Sequence, residues 1–200
     1  MSDNLSSAGN QQERLSSEEQ RRWFLAGVIE GEGSVCVSFK THPTTSSGIF
    51  VQAGLFVYQH RARRELLEMA MDIFQAGRIY PKPGNPDVLV YAVLSRAALA
   101  EKVVPFLRRY MQHSARRADY ARFTEVIGLL EARAHWKPEG LARVVDIAYA
   151  MNFDGKQRRR SRRELLDRIL RGHTLDAPGR GEEMVRSPRR RGELGGTETT

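Results

Sequence analysis

Two hundred residues give this chain room for one core domain and its tails. Lysine and arginine outnumber aspartate and glutamate by 32 to 24, a formal charge of +8 that favours a polyanionic partner, either nucleic acid or an acidic surface. No apolar run approaches the roughly 18 residues of a membrane span, the first residues lack the basic start and apolar stretch of a secretory signal, and the lone cysteine, Cys36, excludes an internal disulfide or a cysteine-rich metal site. The five histidines are scattered without zinc-site spacing. The expectation is a soluble protein of a reducing cytoplasm with no membrane partner, nucleoid-associated if the source is prokaryotic.

Residues 1–15 are polar and read as a disordered tail, as do residues 173–200, where Gly, Pro, Arg and Thr recur without periodicity. Residues 16–172 form the expected folded domain. Ser16-Ser17-Glu18-Glu19-Gln20 offers capping boxes, Ser16 with Glu19 or Ser17 with Gln20, opening a helix that runs to about Glu30. Residues 34–40 alternate, with Val35, Val37 and Phe39 on one face, and residues 49–58 read as a second, longer strand. Residues 61–75 are an amphipathic helix carrying Leu66, Leu67, Met69, Ala70 and Ile73 at helical spacing, ended by Gly77. Residues 78–82 and 88–94 form a hairpin whose loop is placed by Pro81, Pro83 and Pro86. Three helices follow over residues 97–110, 114–134 and 138–151, and the capping box Ser161-Arg162-Arg163-Glu164 opens a last one that stops near Gly172. The order α-β-β-α-β-β-α predicts an α+β fold: a four-stranded antiparallel sheet with helices on one face and further C-terminal helices behind. In a basic protein the open, twisted face is a saddle for duplex DNA.

The most informative stretch is Leu25-Ala26-Gly27-Val28-Ile29-Glu30-Gly31-Glu32-Gly33. It places two carboxylates at a helix C-terminus, where the macrodipole disfavours anions. Small residues at 26, 27 and 31 permit close approach of another backbone. A helix packed on its twin would bring two copies of Glu32 to one seam, a site able to hold a divalent metal.

These residues, with the element order, resemble the LAGLIDADG homing endonuclease family, specifically its single-motif homodimeric members. Tyr58-Gln59-His60, Val104-Pro105-Phe106-Leu107 and Ala150-Met151-Asn152 leading into Gly155-Lys156 sit where that family places comparable segments, so the resemblance spans about residues 18–171. It implies a site-specific DNA endonuclease making a staggered double-strand break across the minor groove, with Mg2+ (or Mn2+) as cofactor. Glu32 matches the metal-binding acid of the motif, with the Gly31 carbonyl beside it, while Glu30 supports the helix end. Gln59 matches a residue that positions water, and Arg63 one that faces the scissile phosphate. Where the family often has a lysine, this chain reads Gln112-His113-Ser114-Ala115-Arg116-Arg117, so Arg116 or Arg117 would supply the charge. The dimer seam would fall on Leu25, Ala26, Gly27 and Ile29.

Base reading is expected from the open sheet face: Ser34, Ser38 and Lys40 on the first strand, Gln52 among Phe50, Gly54, Phe56 and Tyr58 on the second, and Arg78, Tyr80, Lys82 and Tyr91 on the hairpin. The basic run holding Lys156, Arg158, Arg159 and Arg160 suits phosphate contact, which positions a protein without reading sequence. Two other readings remain open: a non-cutting DNA-binding regulator or RNA-splicing helper (maturase) on the same saddle, and an unrelated basic α/β structural or ribosome-associated protein. A homodimer predicts a near-palindromic site of roughly twenty base pairs.

Overall fold

The computed structural model describes residues 16–151, other than 44 and 46, and residues 160–173. The expected tails therefore lie outside the described residues, apart from His173.

Helix α1 (Ser17–Glu32) starts where the Ser16 hydroxyl accepts the Glu19 N–H at 3.2 Å. Only half of the capping box forms. The Glu19 carboxylate turns away to accept from Tyr110 Oη (2.8 Å) and Arg109 Nη2 (3.1 Å), tying the helix start to a later helix. Leu25, Ala26 and Ile29 face the core. The helix passes into strand β1 (Gly33–Thr41) with no intervening loop. Gly33 makes that junction possible: a Cβ there would lie 2.6 Å from the Ile29 carbonyl oxygen, a backbone clash no rotamer could relieve.

Strands β1, β2 (Ile49–His60), β3 (Arg78–Lys82) and β4 (Asn85–Val93) form one antiparallel sheet in the order β1-β2-β4-β3. The register pairs Gly33 with Val57, Leu55 with Val93, and Ile79 with Tyr91. Side chains paired across an antiparallel sheet share a face, so Val35, Val51, Ala53, Leu55, Val57, Leu89, Tyr91 and Val93 form the inner face and are buried. Pro81 is tolerated because β3 is an edge strand, and Pro83-Gly84, with Gly84 at φ +79°, makes the hairpin turn.

Helix α2 (Arg64–Phe74) follows a single 3₁₀ turn at residues 61–63. Its end differs from the sequence expectation. Gln75, not Gly77, takes the left-handed cap (φ 46°), stabilised by its own amide donating to the Asp72 carbonyl at 2.6 Å. Gly77 (φ +89°) instead makes the entry to β3. Residues 96–110 are continuously helical: α3 (Arg96–Ala98), a widened π turn (Leu99–Val103) and α4 (Val104–Tyr110). The wide turn absorbs Pro105, which lacks an N–H and would otherwise collide with the carbonyl four residues earlier. Helices α5 (Arg117–Glu131) and α6 (Pro138–Ala150) extend the layer behind β1, and α7 (Arg162–His173) packs on α6. The capping box of α7 is complete: Glu164 N–H donates to Ser161 Oγ at 3.1 Å, and Ser161 N–H donates to Glu164 Oε2 at 2.7 Å. All helices that touch the sheet lie on its inner face, leaving the other face uncovered, as the element order predicts.

Candidate active site and nucleic-acid interface

Helix α1 leaves carbonyls unpaired at its C-terminus, where the dipole is negative, and its last turn holds no basic residue of its own. Arg116, in the loop between α4 and α5, supplies the cation. Its Nη1 donates to the Gly33 carbonyl and its Nη2 to those of Ile29 and Glu30, all at 2.8 Å. The same loop is held by Glu30, whose carboxylate accepts from Ser114 Oγ at 2.5 Å and from the Ala115 N–H at 3.2 Å. Two oppositely directed sets of bonds thus lock the helix end to residues 114–116. Glu30 is consumed in this clasp, and so is the fork of Arg116. The guanidinium expected to act on substrate instead gives three of its five N–H donors to main-chain oxygens.

Glu32 is left out of the clasp. Its side chain is exposed and makes no hydrogen bond or ion pair among the described residues. Arg116 takes three carbonyls and passes over that of Gly31. A free carboxylate and the neighbouring Gly31 carbonyl are hard oxygen donors of the kind magnesium accepts. They number too few to complete a coordination shell, and no cluster of three or more His, Cys, Asp or Glu exists among the described residues. The donor set fits a divalent cation whose shell is completed by waters, by phosphate oxygens or by a second copy.

The register brings two further candidates to this end of the sheet. Val57 pairs with Gly33, so Gln59, two residues on, lies beside the end of α1 on the inner face, 8% exposed. Arg63, in the turn after β2, is exposed.

On the open face stand Ser34, Ser38 and Lys40 of β1, Gln52 of β2, and Arg78, Tyr80 and Lys82 of β3. Lys40 Nζ donates to Gln52 Oε1 at 2.6 Å, and Ser38 Oγ to the Gln52 carbonyl at 3.3 Å. Lys82 lies 5.5 Å from the centre of the Tyr58 ring and Arg78 5.4 Å from that of Tyr80, both within cation–π range. Asp87 is the only acid in any of the four strands, and it faces Arg61 at 3.6 Å. The uncovered face therefore presents cations, an amide and hydroxyls beside the apolar Phe50 and Phe56, with no opposing carboxylate at its centre.

Tyr91 is not part of that face. It pairs with Val57 and Ile79, is fully buried, stacks on Phe74 and donates its hydroxyl to the Ala76 carbonyl at 2.7 Å. Burial pushes its hydroxyl pKa well above the ordinary tyrosine value. The run Val88-Leu89-Val90-Tyr91-Ala92-Val93 is apolar throughout, so alternation could not tell its two faces apart; the register does.

The dimer expectation needs a similar correction. Leu25, Ala26 and Ile29 are buried within their own chain and cannot form a seam. Gly27 is exposed, as is Gly31, with nothing within 4 Å of where a Cβ would stand on either. Phe24 (58% exposed) continues that stripe, with Trp23 (40%) beside it. Phe24, Gly27 and Gly31 recur at helical spacing, but so do Leu25, Ala26 and Ile29, so spacing offers both stripes and only burial chooses between them.

Of the basic run, Lys156, Arg158 and Arg159 lie outside the described residues. Arg160 bonds to Thr41 Oγ1 at the far end of β1, while its carbonyl accepts from Tyr149 Oη at 2.6 Å, anchoring that segment beside the sheet.

Among families of known proteins, the model described as LAGLIDADG endonuclease matches residues 25–127. The DNA endonuclease I-CeuI of Chlamydomonas moewusii is 37% identical over 92 residues, covering 46% of this chain but only 42% of that protein. The homing endonuclease I-ApeII of Aeropyrum pernix is 26% identical over 160 residues, covering 78% and 94% of the two chains. Among solved structures, the archaeal intron-encoded homing endonuclease I-Vdi141I complexed with DNA is similar with TM-score 0.73 at 27% identity, covering 79% of this chain and 99% of that one. I-CeuI complexed with DNA is similar with TM-score 0.70 at 27% identity, covering 78% and 79%.

Proposed function

The chain belongs to the LAGLIDADG endonuclease family, matched over residues 25–127, and from that premise we propose that it is a site-specific DNA endonuclease acting as a homodimer with Mg2+ or Mn2+. The observation that carries this reading is Glu32: an unpartnered carboxylate at the end of a helix whose outer stripe, Phe24, Gly27 and Gly31, is bare.

Two copies packed along that stripe bring their Glu32 carboxylates and Gly31 carbonyls together, one set for each strand of a duplex. When bound, the divalent cation supplies an activated water and neutralises charge on the phosphate. Gln59, held between the inner face of β2 and the helix end, orients the water. Arg63, exposed in the turn after β2, faces the phosphate as a fixed positive charge. Arg116 and Glu30 hold the helix end so that Glu32 has one position relative to the sheet. The basic open face takes the duplex, and Arg160 with its neighbours meets the backbone. The product is a staggered double-strand break within a near-palindromic site.

The test is cleavage of a randomised palindromic duplex library by wild type and Glu32→Gln, with Mg2+ and with chelator. Metal-dependent double-strand cuts that fall at least about a hundredfold in Glu32→Gln are expected, since even outer-shell changes cost metal sites ten- to a hundredfold. Selective binding without cutting, identical in both proteins, would favour the second reading, a DNA-binding regulator or splicing helper. One observation supports that alternative: Arg116 is committed to carbonyls and no lysine stands in residues 112–117. Among the described residues no helix is long and apolar enough to cross a membrane.

A further inference from the structure

We infer that the Lys40–Gln52 pair reads guanine, one in each half-site, a proposal that rests on the duplex-binding reading above. An ammonium has donors only. The 2.6 Å bond from Lys40 Nζ therefore fixes which way the Gln52 amide points, a choice otherwise open for a glutamine. Oε1 faces Lys40, so Nε2 presents its two N–H groups outward, and Lys40 keeps two donors of its own. Beneath them, Ser38 gives its hydroxyl proton to the Gln52 carbonyl at 3.3 Å and cannot reorient the amide. All three residues lie on the uncovered face of the β1–β2 ribbon, where Ser38 and Gln52 are directly paired in the register.

A two-stranded ribbon fits the major groove, where each base pair shows a distinct donor and acceptor pattern. A free glutamine pairs with adenine by donating to N7 and accepting from N6. Here the accepting half of that pattern is taken by Lys40. The second lone pair of Oε1 does not rescue adenine, because the ammonium beside it would then confront the adenine amino group. Guanine offers acceptors at both N7 and O6, and the pair offers donors to both. The strand residues carry no carboxylate other than Asp87 to reverse this preference.

The test is selection of bound duplexes from a library with randomised half-sites, with chelator present so that bound DNA stays intact. Wild type, Lys40→Met and Gln52→Leu are compared position by position. Wild type should show one position per half-site where guanine exceeds adenine about tenfold or more. Lys40→Met should bring adenine to parity or above at that position, because the amide can again offer both a donor and an acceptor. Gln52→Leu should weaken the preference there without raising adenine. Selective binding whose guanine preferences are unmoved by either substitution would overturn the inference and leave the nuclease reading standing. Absence of any selective binding by wild type would remove the duplex-binding reading, and this inference with it.

Discussion

Arg116 and Glu32 sit at the same helix end but do different work, and the difference lies in what each side chain touches. Three carbonyls accept from one guanidinium that is itself part-buried, so truncation removes a charged donor from all three, and only that of Ile29 is known to keep another, the Gly33 N–H. Arg116→Ala should cost about 2 kcal/mol, which thermal unfolding would show as a fall of roughly 4–8 °C in Tm for a domain of this size. Arg116→Lys should recover only part of it, since an ammonium cannot span the same fork. Glu32→Gln removes nothing the fold uses and should leave Tm unchanged while activity is lost. A Tm drop in Glu32→Gln equal to that of Arg116→Ala would mean that the two residues are both structural.

At the scale of elements, the turn between α5 and α6 is tightly built. Residues 134–136 form a 3₁₀ turn packed so closely on α6 that a Cβ on Gly140 would fall 2.0 Å from the Ala134 carbonyl oxygen. His135 sits in that turn, its pKa driven down to about 4 first by burial and then by the charge of Arg96, which is held in place by the Leu130 carbonyl at 3.2 Å. The imidazole is thus neutral in the folded chain where the unfolded chain would already be protonated. Its contribution to stability is complete above about pH 6.5, declines as pH falls through the window from 6.5 to about 4, and changes no further below. Tm measured across that window should fall less steeply in His135→Gln than in wild type. Parallel curves would assign the acid sensitivity to other groups.

For the whole molecule, the distribution of apolar and charged surface sets the assembly. The helices put their apolar sides on one face of the sheet, and the opposite face keeps Lys40, Arg78 and Lys82 uncovered. On the outer stripe of α1, exposed aromatic surface adjoins glycines that let a backbone come close. Gly27→Arg should therefore yield a monomer in light scattering at micromolar protein, with little change in Tm, since nothing lies within 4 Å of its Cβ position. It should also abolish double-strand cutting, because each monomer would carry half of the acidic site. A monomeric wild type, with and without DNA, would remove the shared-site mechanism.

The sequence by itself determined the element order, the inner and outer faces of β1, β2 and β3, the identity of Glu32 as the acid at a helix end, and the family. Each of these is local: a period of two or of 3.6, a capping pair, or a short motif suffices. Tertiary structure alone decided the face of Tyr91, the role of Arg116 and the face of α1 left free. The last strand is apolar on both sides, and α1 carries large or apolar residues all round from Trp23 to Ile29, so periodicity holds no information about which side meets the core. Arg116 finds its partners 83–87 residues away, from the loop between α4 and α5. The side a residue presents is decided by burial against distant neighbours, and that is settled by packing, which no local pattern encodes.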